Sequence, residues 1–214
     1  MYKTDTNRQL CLNCFEEIDK TETLFELLFS KDVLCPKCRS LLKRNRETFY
    51  IEGIKLNALY VYNDTASQFM MQIKEAHDQT LACVFINPFI TRIRKSFKGK
   101  TIVCVPSSNR KTEERGYHAL KEMFKLCALN IKDVLVKDDV KQSHGNRKKR
   151  KEIQTHIHIK ENFSQLGPIV LIDDICTTGE SLKACIQALK PYVSSIEIQV
   201  LCIHEMWCHN KFQD

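Results

Sequence analysis

Apolar residues along this chain fall into two rhythms, one of period two and one near 3.6, and their order predicts the elements. Residues 48–62 alternate apolar and aromatic positions with polar ones and predict one or two strands. Residues 64–75 carry helical spacing behind Asp64 as the capping residue. A second helical stretch covers 81–97, interrupted at Asn87-Pro88 because proline removes a backbone donor. Residues 101–105 read as a strand ended by Pro106, 113–128 as a helix and 134–136 as a short strand. Residues 137–159 keep no steady period and read as a long loop with room for a hairpin. The run Ile-Val-Leu-Ile at 169–172 has no polar alternation, as expected of a parallel strand covered on both faces. A helix to about residue 190 and a closing strand over 196–203 complete the series. Strands alternating with helices predict an α/β fold, a mostly parallel sheet flanked by helices.

The densest chemistry follows the 169–172 strand. Asp173 and Asp174 come at its carboxyl end, where open α/β sheets bind ligands. Thr177, Thr178, Gly179, Glu180 and Ser181 then occupy the turn and first helical positions. Unpaired backbone N–H groups and the positive end of the helix dipole favour a phosphate there. Gly179 is expected to let backbone approach the ligand closely. Two carboxylates accept hydrogen bonds from vicinal hydroxyls while such a loop holds phosphoryl oxygens, so the pattern suits a sugar phosphate. An ordinary strand and helix would not need two adjacent acids followed by Thr-Thr-Gly.

Near the amino terminus, Cys11-Leu12-Asn13-Cys14 and Cys35-Pro36-Lys37-Cys38 form two C-x-x-C pairs with twenty residues between them. That spacing lets four thiolates converge on one Zn²⁺. A redox dithiol needs only one pair, next to a strand and a helix. An iron–sulfur cluster and unrelated cysteines are the other readings. A closed four-thiolate site has no open coordination position, which assigns it to folding. Few large apolar residues lie between the pairs, so the metal is expected to stabilise a small module.

With 214 residues, 43% of them hydrophobic, the chain can bury one sizeable core and a small appendage, divided here as 1–45 and 46–214. Of eleven cysteines, the seven outside the two pairs are scattered through apolar segments or near the end, like reduced core thiols. The first thirty residues lack a signal peptide's apolar core, and no apolar run approaches bilayer length. A cytoplasmic protein without membrane insertion is expected. Net charge is +7, with six basic residues and no acid in the eleven residues 141–151, including Arg147, Lys148, Lys149 and Arg150. A second cluster lies at 92–100, and the chain from 152 onward is net acidic. This asymmetry suits a polyanion, although either run alone also fits a solvated loop. His118, His144, His156 and His158 are conceivable acid–base groups, but no partner is visible for any of them.

Residues 169–181 resemble the PRPP-binding signature of type I phosphoribosyltransferases: apolar strand, two acids, two further residues, Thr-Thr-Gly, then Ser or Thr. The resemblance implies that Asp173 and Asp174 hold the ribose hydroxyls of PRPP, that Thr177, Thr178, Gly179, Glu180 and Ser181 surround its 5′-phosphate, and that Mg²⁺ arrives with the ligand. The order of motifs is more specific. A four-cysteine module, a Tyr-rich strand, a helix ending at Ile73-Lys74, Val105-Pro106, Arg115-Gly116-Tyr117-His118 and the signature together resemble the ComF/ComFC competence family over nearly the whole chain. That resemblance implies a phosphoribosyltransferase-like domain behind a zinc module. It further implies a pyrophosphate loop at Pro106, Ser107, Ser108, Asn109 and Arg110, with Gln142 and Arg150 in a flexible loop.

Three functions follow from the resemblance and the charge. The first is a competence protein acting in uptake of single-stranded DNA during natural transformation, beside a ComFA-type helicase. Its candidate nucleic-acid contacts are Lys111, Arg115, Tyr117, Arg147, Lys148, Lys149 and Arg150, with Tyr117 or Tyr62 stacking on bases. The second is an active phosphoribosyltransferase releasing pyrophosphate from PRPP in nucleotide metabolism, although the sequence shows no acceptor pocket. The third is a PRPP-responsive regulator.

Overall fold

The computed structural model describes residues 9–18, 32–107, 109–137, 157–160 and 165–209. Eight strands and seven α-helices are named within them. Strands are β1 (Thr48–Ile51), β2 (Ile54–Val61), β3 (Thr101–Cys104), β4 (Ile131–Lys132), β5 (Leu135–Lys137), β6 (Ile157–Ile159), β7 (Pro168–Cys176) and β8 (Ser195–Ile203). Helices are α1 (Pro36–Ser40), α2 (Asp64–Lys74), α3 (Ile90–Ser96), α4 (Asn109–Arg115), α5 (Ala119–Phe124), α6 (Glu180–Leu189) and α7 (Glu205–His209).

Six strands form one sheet in the order β1-β2-β8-β7-β3-β4. Pairing is parallel throughout except at the edge, where β1 runs antiparallel to β2. From β3 the chain steps outward to β4, returns to the other side of β3 as β7, and moves on to β8. The strand order therefore reverses between β3 and β7, and the connections leaving their carboxyl ends take opposite faces. Ala119, Leu120, Met123 and Phe124 of α5 pack on one face with Val170 and Ile172. Leu182, Cys185, Ile186 and Leu189 of α6 pack on the other with Ile169 and Leu171. All four residues of the 169–172 run are buried, alternately on the two faces, which is why the run carries no polar position. A crevice at such a reversal is where open α/β sheets take ligands.

The predicted elements largely form, with physical reasons for each departure. Helix α2 is capped by Asn63, whose side chain accepts from Ala66 N, and Asp64 is its first residue instead. The expected helix over 113–128 is broken into α4 and α5 by Gly116, which takes φ +74, and a 3₁₀ turn follows over Lys125–Cys127. The 81–97 stretch becomes two short 3₁₀ segments, Thr80–Val84 and Asn87–Phe89, leading into α3. Strand β7 runs past residue 172 and includes both acids. Strands β5 and β6 pair antiparallel, and the 138–156 segment between them lies outside the described residues. Cys104, Cys127, Cys176, Cys185 and Cys202 are buried free thiols, as expected of core cysteines.

The amino-terminal cysteines are built into the main body. Cys11, Leu34, Cys35, Cys38 and Leu42 share one buried cluster with Leu59, Tyr60 and Phe85. Arg39 of α1 ties them together: its Nε donates to Asp32 Oδ2 at 2.7 Å and its Nη1 to Val84 O at 2.7 Å and Tyr60 Oη at 3.1 Å. Burial pushes the Tyr60 hydroxyl up to about 12, so it stays protonated. No helix among the described residues is long and apolar enough to cross a membrane.

Candidate functional site

At the carboxyl end of β7, Asp173, Ile175, Cys176, Thr177, Thr178, Gly179, Glu180, Ser181 and Leu182 line one open pocket. The sequence-predicted sugar-phosphate residues thus meet in one place, apart from Asp174. Asp174 lies on the same strand and turns its carboxylate to Lys74 Nζ at the end of α2, an ion pair between two partly buried groups. Asp174 N also donates to Asp173 Oδ1 at 2.9 Å.

Burial, and then the adjacent Asp174 charge, push the Asp173 carboxyl up to about 8, against the pull of Asp174 N, Lys74 and Lys137. Near neutral pH the protonated form of Asp173 is therefore favoured. With Lys74 already beside Asp174, Asp173 is the member that keeps the proton. A ligand that supplies hydroxyl donors or a divalent cation would favour the doubly ionised pair.

The turn itself is shaped from behind. Gly179 sits at the N-cap of α6 with φ +81. A Cβ there would lie 3.1 Å from Ile51 Cδ1 and 3.2 Å from Trp207 Cζ2. Glycine is required here by the left-handed backbone and by the packing of Ile51 and Trp207 against it. Gly179→Ala should therefore cost about 1–2 kcal/mol. Thermal unfolding should then fall by roughly 2–8 °C. An unchanged unfolding temperature would contradict this account of the turn.

Lys74 is the site residue that sequence reasoning named only as part of a motif. Its place is fixed by residues expected to touch nucleic acid. Arg115 Nε donates to Lys74 O at 2.7 Å and its Nη2 to Glu75 Oε1 at 3.3 Å, and Tyr117 Oη donates to Ile73 O. Lys74 O and Ile73 O are carbonyls of the last helical turn, which these side chains satisfy in place of intrahelical donors. The Arg115 side chain is only 8% exposed, so its guanidinium is committed to the end of α2. Tyr62 is likewise half-buried, with its hydroxyl 3.1 Å from Ser67 Oγ.

Pro106 and Ser107 follow β3 next to the acid strand, since β3 and β7 pair as far as Cys104 and Ile172. Ser108 lies outside the described residues, and Asn109, Arg110 and Lys111 begin α4 without described side chains. Arg147, Lys148, Lys149, Arg150, Gln142, His144 and His156 also lie outside them. His118 is neutral at neutral pH, because burial and then Lys121 push its imidazole down.

The second predicted constellation also assembles. The sulfur atoms of Cys11, Cys14, Cys35 and Cys38 all lie within 4.8 Å of one another, so they could hold a metal ion. Cys14 Sγ and Cys35 Sγ are 3.7 Å apart, near the roughly 3.8 Å edge of a tetrahedron with zinc–sulfur bonds of 2.3 Å. Asn13 Nδ2 donates to Cys38 Sγ at 3.2 Å. Burial raises the Cys11 thiol, but backbone donors of Cys14, Cys35 and Asn13 outweigh it and bring it down to about 6. One thiolate is therefore ready at neutral pH, as metal binding requires.

The described residues thus combine a mostly parallel sheet flanked by helices, an acid pair beside the Thr177–Ser181 turn at its switch point, and a four-cysteine cluster that could hold a metal ion. The chain is similar to competence proteins ComFC over most of its length, which bears out the family resemblance drawn from its motifs. It is 25% identical over 178 residues to ComFC of Streptococcus pneumoniae (strain ATCC BAA-255 / R6), covering 81% of this chain and 78% of that one. With ComFC of Bacillus subtilis (strain 168) it shares 24% identity over 163 residues, 75% of this chain and 67% of that one. No protein-family model matches. Solved structures similar to it include adenine phosphoribosyl transferase from Trypanosoma brucei, with TM-score 0.38 and 11% identity over 83% of this chain and 84% of that one. Another is orotate phosphoribosyltransferase from Aeropyrum pernix, with TM-score 0.36 and 12% identity over 78% of each chain.

Proposed function

We propose that this chain is a cytoplasmic competence protein that binds PRPP with Mg²⁺ and handles single-stranded DNA during natural transformation, beside a ComFA-type helicase. The observation that carries the reading is the acid pair beside the Thr177–Ser181 turn at the sheet's switch point, in a chain similar to ComFC proteins. In this reading Asp173 and Asp174 accept from the ribose hydroxyls, the turn takes the 5′-phosphate, and Lys74 and Lys137 face the pyrophosphate. Mg²⁺ would neutralise pyrophosphate charge while keeping several waters. Zinc fills the four-cysteine cluster and serves folding. DNA contacts fall to Lys111 and the basic residues 147–150, because Arg115 and Tyr117 are occupied at α2.

Calorimetric titration with PRPP and Mg²⁺ tests the ligand, and fluorescence anisotropy of a labelled single strand tests the DNA. PRPP binding at micromolar concentration, with DNA affinity falling steeply as salt rises, is expected. Absence of PRPP binding by folded, metal-loaded protein would remove the sugar-phosphate reading. Pyrophosphate release that depends on an added base would replace it with a working transferase, and DNA affinity that changes on saturation with unconsumed PRPP would make it a regulator.

A further inference from the structure

We infer that Trp207 is a positioning residue of the phosphate-binding turn, aiming the Thr178 N–H by holding the Thr177 carbonyl from behind. The inference rests on the proposed role of that turn as the seat of a 5′-phosphate.

Trp207 belongs to α7, which follows β8 without a linker beyond His204. Two successive carbonyls of the turn are held by this segment. His204 N donates to Cys176 O at 2.9 Å, and the indole Nε1 of Trp207 donates to Thr177 O at 2.6 Å. The indole is itself fixed. Trp207 N donates to His204 O at 3.1 Å, and the Phe49 ring meets the indole edge to face at 6.3 Å between centroids and 79°. The indole of Trp207 also closes the space under Gly179.

The consequence follows from peptide geometry. In a trans peptide the C=O of one residue and the N–H of the next point in opposite directions. No cis peptide occurs among the described residues. Holding Cys176 O and Thr177 O toward α7 therefore turns Thr177 N–H and Thr178 N–H the other way, toward the pocket that Thr177 and Thr178 line. Successive N–H groups facing one concavity form an anion seat. Freed from the indole, the peptide between Thr177 and Thr178 could rotate, and its N–H would no longer be preset for a phosphoryl oxygen. A ligand would then have to order that peptide on binding, at a cost in affinity.

Trp207 is the chain's single tryptophan, so biosynthetic replacement of tryptophan by β-(3-benzothienyl)alanine changes this side chain alone. The substitution puts sulfur where the N–H was and keeps the bicyclic shape. The holo-protein carrying it should unfold within a few degrees of the natural protein and bind Mg-pyrophosphate equally well, while binding ribose 5-phosphate roughly tenfold more weakly, as for one lost hydrogen bond that preset the turn. Trp207→Phe should show the same selective loss. Unchanged ribose 5-phosphate affinity in the sulfur isostere would overturn the inference and leave the phosphate reading intact. Equal losses for both ligands, or a large fall in unfolding temperature, would reduce Trp207 to a packing residue. A natural protein that binds neither ribose 5-phosphate nor PRPP would remove the phosphate reading, and the inference with it.

Discussion

Asp173→Asn combined with Asp174→Asn is expected to lower the affinity for PRPP and Mg²⁺ by more than a hundredfold while leaving the protein folded. Each carboxylate accepts a charge-assisted hydrogen bond in the proposed complex, about 1.5–3 kcal/mol apiece, and a hundredfold corresponds to about 2.8 kcal/mol. The single variants should then separate, because the two acids have different surroundings. Asp174 is paired with Lys74, so Asp174→Asn leaves a partly buried ammonium without its counter-charge and should destabilise. Asp173 is the member whose carboxyl is pushed up to about 8. Between its unfolded value of 3.8 and that folded value, the native state binds more protons than the unfolded state, so stability falls as pH rises across this window. Asp173→Asn removes that dependence. Its stability advantage should be absent below about pH 4, grow to about 1 kcal/mol or more by pH 8, and then stay constant. Ligand binding to the ionised pair should release a proton at pH 7, which calorimetry reads as a heat that depends on the buffer's ionisation enthalpy. A pH-independent stability difference, or binding heats identical in Tris and HEPES, would contradict the picture of a protonated Asp173.

The parts of the fold and site written in contiguous residues were legible in the sequence. The 169–172 run showed a strand buried on both faces because each of its side chains is spent on one core or the other. The acids and the Thr-Thr-Gly turn were legible because their chemistry is adjacent along the chain, and the cysteine pairs because C-x-x-C spacing is itself the geometry of a ligand pair. Contacts between distant residues left no comparable trace. Lys74 meets Asp174 a hundred positions away, and Trp207 meets Thr177 across 30. Arg115 and Tyr117 illustrate the same limit: a basic and an aromatic side chain suggest a polyanion from sequence, yet here they satisfy the end of a helix about forty residues earlier. Gly116 could have been read as the break between α4 and α5, since glycine is the residue that takes a positive φ without strain.

Removing the metal should reach the sugar-phosphate site as well as the cysteines. Cys35→Ser should abolish stoichiometric zinc binding and cost roughly 3–5 kcal/mol, about 6–20 °C in unfolding temperature for a chain of this size. The cost does not stop at an appendage, because Cys11, Cys35 and Cys38 are buried in the cluster that also holds Phe69, Met70 and Ile73 of α2. A polar contact joins the same parts. Asn63, which caps α2, donates from Nδ2 to Leu41 O at 2.8 Å, just after α1. Helix α2 therefore has its amino end anchored on the cysteine module and its carboxyl end at Lys74, beside Asp174. Loosening the module should let α2 shift, weaken the Lys74–Asp174 pair and reduce PRPP affinity several-fold, under conditions where circular dichroism still reports a folded sheet. Metal analysis, thermal unfolding and PRPP titration of the same Cys35→Ser preparation test the whole chain of contacts. Full zinc content in the variant would refute the metal site. Lost zinc with unchanged PRPP affinity would show that α2 keeps Lys74 in place without the module.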